Sequence, residues 1–69
     1  MSESVTPLDS FTAPYGQAIE LQEVTFDGET NLLRLRIREG KRFTVFDIDP
    51  ATAAHWGTAL ENWAKAQEG

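Results

Sequence analysis

Arg34, Arg36, Arg38 and Arg42 are the residues of this sequence whose type and spacing could do chemistry. They lie in NLLRLRIREGKRF, a stretch that holds five of the six basic residues of the chain. Guanidinium groups at alternate positions of a strand point the same way, and each presents a planar fork of donors suited to phosphate or carboxylate. The window from Arg34 to Arg42 carries +4, which leaves −9 for the rest of a chain whose total is −5. That acid surplus opposes a nucleic-acid backbone, and base stacking would need two or three rings on the same face. Nucleic acid is therefore the least favoured partner. The plainest reading of the row is a solvated sheet face, with arginine stems shielding the backbone beneath.

Phe46 adds a second element to this surface. Phe46 and Ile48 fall on one phase of their strand, Phe43 and Val45 on the other. Unless a strand irregularity turns it inward, Phe46 joins Leu32 in a small apolar patch beside the arginines. Aromatic and arginine side chains together are enriched in the cores of protein interfaces. The candidate interaction face is thus Arg34, Arg36, Arg38, Arg42, Phe46 and Leu32.

Other reactive types are sparse. Asp47 and Asp49 in DIDP could together bind a divalent cation or do acid–base work. Asp49 is already claimed as a helix cap, however, and Asp47 as a partner for an arginine. There is no cysteine and one histidine, His55, so neither a disulfide nor a thiolate or imidazole-rich metal site is available. No phosphate-binding glycine loop, nucleophile elbow or Ser-His-Asp arrangement occurs. The expectation is a non-enzymatic chain without cofactor or metal.

The elements that would carry the arginines are legible from periodicity. QAIELQEVTF precedes Asp27-Gly28, a pair that favours a tight type I′ hairpin turn. Such a turn sets Phe26 opposite Glu29 and Val24 opposite Asn31. Ile19 and Leu21 then sit out of phase with Val24 and Phe26, which predicts a β-bulge near Gln22-Glu23 and places Leu21 against Leu33. The next strand, Thr30 to Arg38, alternates Leu33, Leu35 and Ile37 with Arg34, Arg36 and Arg38. A three-residue loop of Arg38, Glu39 and Gly40 pairs Leu35 with Phe43, Leu33 with Val45 and Arg36 with Arg42. The third strand runs from Lys41 to Ile48.

The remainder reads as a helix opened by Asp49 as N-cap and Pro50 at the first helical position. Ala53, Trp56, Leu60, Trp63 and Ala64 share one face, which is expected to cover Leu33, Leu35 and Ile37. Gly57 beside that stripe suggests close approach of helix to sheet. Residues 1–16, with Pro7, Pro14 and Gly16, read as an irregular arm whose Leu8, Phe11 and Tyr15 dock on the core edge or enter a partner. The expected fold is α+β: a three-stranded antiparallel meander and one C-terminal helix, with residues 17–69 as a single β-β-β-α domain.

Sixty-nine residues form a thin core that buries roughly 60% of the unfolded chain's surface. Without disulfides or metal, the remaining external support is a partner chain. No leader-like or membrane-spanning run is present, so a soluble, cytoplasmic protein is expected. The functional expectation is a small protein-interaction module that binds a partner or itself through the arginine face or a strand edge. The alternative is an anion-binding module for nucleic acid or a phosphorylated ligand, and a minor alternative is an accessory subunit of a larger enzyme.

Overall fold

A computed structural model describes residues 3–26 and 30–68. Four strands form one antiparallel sheet: β1 (Glu3–Thr12), β2 (Ala18–Phe26), β3 (Thr30–Glu39) and β4 (Arg42–Ile48), in that spatial order. Helix α1 (Pro50–Glu68) follows and packs chiefly on β3. The expected three-stranded meander is therefore corrected to four strands, because the supposed irregular arm pairs with β2 along its length.

The added strand escaped the periodicity reading for a physical reason. Its sequence, ESVTPLDSFT, has no alternation of apolar and polar residues, and all of its residues are exposed. Pro7 also argues against a strand, yet proline is tolerated at a sheet edge, where one side of the backbone needs no partner. The register shifts between Pro7 and Asp9, so Leu8 is an extra, unpaired residue. A bulge exists, but on β1 rather than on β2.

Between β2 and β3 the pairing is regular, with Leu21 opposite Leu35, Ile19 opposite Ile37 and Val24 opposite Leu32. The phase break in QAIELQEVTF is resolved without a bulge. Leu21 and Ile19 face the helix side, while Val24 turns to the other side, in line with Val5 and Leu32. The Asp27-Gly28 turn lies outside the described residues. Phe26 pairs with Thr30, one residue beyond the pairing expected from a two-residue turn.

The β3–β4 loop is shorter than expected. Glu39 pairs with Arg42, which leaves Gly40 and Lys41 as the loop. Gly40 has φ +61°, the left-handed conformation that such tight hairpin turns require and that glycine adopts without a Cβ penalty. The register moves by three, an odd number, so every β4 side chain changes face relative to the expected pairing. Leu35 now lies opposite Phe46 and Leu33 opposite Ile48, whereas Phe43 and Val45 join the arginine side.

Helix α1 starts as its sequence requires. Asp49 Oδ1 accepts the Thr52 amide at 3.2 Å, and the Ala53 amide donates to the Asp49 carbonyl at 2.9 Å. Trp56 stacks on Phe46, ring centroids 6.0 Å apart and planes inclined by 25°. Leu21, Leu33, Leu35, Ile48, Ala53, Trp56, Gly57 and Leu60 line an apolar cleft of about 190 Å³. A Cβ built on Gly57 would meet nothing within 4 Å, so close approach to the sheet of the same chain does not explain this glycine. The core is small: Val24 (0% exposed) and Leu35 (8%) are its only buried hydrophobic residues among those described.

Candidate functional site

The arginine face is built by the alternation of β3, which puts Arg34, Arg36 and Arg38 on the side away from the helix. Across β4 lie Asp47, Val45 and Phe43; across β2 lie Gln22, Glu20 and Ala18. Arg42 is not part of this face. It pairs with Glu39 and shares the helix side with Ile37 and Leu35. Phe46 is not part of it either, being the ring beneath Trp56. Leu32 does share the arginine side, opposite Val24.

Most of the positive charge on this face is already matched. Arg34 forms a two-pronged pair with Asp47, Nε to Oδ1 at 2.8 Å and Nη2 to Oδ2 at 3.1 Å. Its Nη1 also donates to Glu3 Oε2 at 3.1 Å. Since Arg34 is on β3 and Glu3 on β1, the bridge crosses β2, where the register places Val24 beneath its diagonal. This is how a valine on the open face comes to be fully enclosed: long charged side chains roof it while their heads stay hydrated.

Arg36 donates to Glu20 Oε1 at 3.2 Å and lies over the Phe43 ring, 5.0 Å from its centroid. A guanidinium within about 6 Å of a ring centre is a cation–π contact. Arg38 is the member of the row with no carboxylate partner among the described residues. The apolar neighbours of the row on β4 are thus Phe43 and Val45, both exposed, where the sequence pointed to Phe46. The signal that could have found them was the pairing of charges: Arg34 opposite Asp47 fixes the register that brings Phe43 across from Arg38.

Arg34 holds the Asp47 carboxyl below its ordinary value through their hydrogen bonds, and the Thr52 side chain and then its amide do the same for Asp49. Both pKa values are lower in the folded chain than in the unfolded one. The corresponding stability is present above the unfolded value of about 3.9 and is lost as pH falls through the lower folded values. The urea midpoint is expected to hold steady from about pH 5 to 7 and to drop below about pH 4. Asp47→Asn is expected to flatten part of that acid limb. An unchanged limb in the variant would show that the Arg34–Asp47 pair adds no pH-linked stability.

The helix side carries the larger unsatisfied surface. Trp56, Leu60 and Trp63 follow the expected helical stripe, but no residue of α1 is buried. Leu60 is 59% exposed and Trp63 68%. Phe11, on the same side of the sheet in line with Ile19 and Ile37, is 50% exposed. A sheet of four strands is about 19 Å wide, whereas one helix covers about 10 Å. A single helix cannot roof this sheet.

These features define a class: a small α+β domain, one four-stranded antiparallel sheet with one helix, a cross-sheet ion network on one side and a partly covered apolar surface on the other. Among the described residues, no group of three or more His, Cys, Asp or Glu side chains is placed to hold a metal ion. No described helix is long and apolar enough to cross a membrane. The chain belongs to a family of unknown function, DUF6967, whose model matches residues 2–66. Neither a curated protein nor a solved structure matches it.

Proposed function

We propose that the protein is a small non-enzymatic interaction module that binds another protein chain through the helix-bearing side of its sheet. The observation that carries this reading is the exposure of Leu60, Trp63 and Phe11 on one side of a chain with two buried hydrophobic residues among those described. Monomeric proteins rarely leave large apolar groups clustered on one surface, and such clusters mark interaction sites. Aromatic rings at the centre of an interface supply much of its binding energy.

The arginine face supports an anion-binding reading less well. Arg34 and Arg36 already hold carboxylates, and a phosphate would have to displace Asp47, Glu3 or Glu20. The strand edges differ from one another in a useful way. β1 carries Pro7 and a bulge, devices that discourage pairing with another strand, whereas β4 carries neither. Edge pairing at β4 is accordingly a secondary contact compatible with the same module.

A photo-reactive amino acid at position 60, introduced in the native host, tests the proposal. Irradiation is expected to give a covalent adduct of defined mass with a protein chain. The same probe at position 41, in the β3–β4 loop, is expected to give none. Absence of any adduct at position 60 would remove the interaction reading.

A further inference from the structure

We infer that the chain seated on the helix-bearing side is a second copy of this protein, related by a two-fold axis. This rests on the interaction reading above and names its occupant. The helix of each copy would lie on the part of the partner's sheet that its own helix leaves open. Leu60 and Trp63 of one copy would then meet the row of Phe11, Ile19 and Ile37 on the other, and the reverse, as a self-complementary interface requires.

The accessible surface and the radius of gyration both agree with this arrangement. A compact monomer of 7.7 kDa exposes about 4,300 Å², whereas this chain exposes 5418 Å². The excess, about 1,100 Å², exceeds the roughly 800 Å² that each partner buries in a standard interface. The radius of gyration is 13.9 Å, against about 11 Å for a compact chain of 69 residues. The molecule is a slab of 46 × 30 × 15 Å. Its surplus surface is of the size that one two-fold contact removes.

Geometry supplies a further reason. The sheet has room for two helices, and the chain provides one. A two-fold contact provides the second helix to both sheets at once, with no other chain required. Gly57 acquires a role in the same arrangement: it opens the apolar cleft beside Trp56 and Leu60, where a Cβ would meet nothing in its own chain. A partner side chain can approach the helix there as closely as glycine permits.

The test is the mass of the full chain in solution, by sedimentation from about 1 to 200 μM, the range over which a dimer of micromolar affinity forms. Wild type is expected to reach twice 7.7 kDa with increasing concentration. Trp63→Asp and Phe11→Asp are each expected to weaken association at least tenfold while retaining the β-sheet circular dichroism. Phe43→Asp, on the arginine side, is expected to leave association within twofold of wild type. A wild type that stays at 7.7 kDa throughout would overturn the inference, as would dissociation caused by Phe43→Asp and by neither of the other two. The position-60 adduct separates the two claims. An adduct with a second copy supports both, whereas an adduct only with a different protein overturns the second copy and leaves the interaction module standing.

Discussion

Val24→Asp is expected to leave the chain unfolded at 25 °C, with loss of the β-sheet circular dichroism and of cooperative urea unfolding. Val24 is the single described side chain with no exposed surface. It lies between Val5 and Leu32 in the register, with the Arg34–Glu3 bridge passing above. An aspartate there either buries an unpaired carboxylate or forces the roof open, and the first alone costs several kcal/mol. A domain of this length has about 3–10 kcal/mol of total stability. The substitution therefore removes most or all of it. Val24→Ala, which deletes methyl groups without adding charge, is expected to remain folded with a lower urea midpoint. A Val24→Asp chain as stable as Val24→Ala would show that the valine is not enclosed by the ion network.

Trp56→Ala carries the second large effect, a loss of about 2–3 kcal/mol in urea unfolding. Truncating a fully enclosed large aromatic costs about 3–5 kcal/mol. Trp56 falls below that range because it is 36% exposed, but it stacks on Phe46 and lines the cleft over Leu33 and Leu35. Trp63→Ala provides the contrast. Measured where the chain is dissociated, it is expected to change stability by no more than about 0.5 kcal/mol, as for other surface substitutions. Equal losses at the two positions would mean that the end of the helix is anchored in its own chain, contrary to the exposure of Trp63. The pair thus separates folding from association along one helical stripe.

Edge-strand chemistry accounts for a further property. The β4 edge is seven residues long and has no proline, bulge or lysine to discourage pairing. Its two faces are both apolar in part, Phe43 and Val45 on one and Phe46 and Ile48 on the other. β1, by contrast, combines Pro7, a bulge at Leu8 and the carboxylates of Glu3 and Asp9. The two edges of the same sheet are therefore unequal, and association through strands, where it occurs, favours β4.

Several elements are legible in the sequence alone. The alternation of Leu33, Leu35 and Ile37 with Arg34, Arg36 and Arg38 determined both faces of β3, because a side chain's face changes with every residue of a strand. Asp49 and Pro50 determined where the helix begins, through a cap that involves only neighbours three residues away. Gly40 determined a turn, since its left-handed backbone is one that glycine adopts without a Cβ penalty. Each of these signals is local, and its physics is complete within a few residues.

What the sequence left open is what depends on partners distant in the chain. β1 is a strand because β2 offers it an edge, and neither Pro7 nor the irregular ESVTPLDSFT pattern announces that. The β3–β4 register was decided by the two-residue loop together with the pairing of Arg34 with Asp47 and Leu35 with Phe46, contacts between segments that periodicity treats separately. A shift of three residues sent Phe46 under Trp56, Arg42 to the helix side and Phe43 to the arginines. In the arginine row, read from sequence as the best binding surface, Arg34 and Arg36 hold carboxylates in three dimensions, and the Arg34–Glu3 bridge passes over Val24. The uncovered helix stripe emerged as the candidate site only when one helix was set against the width of four strands.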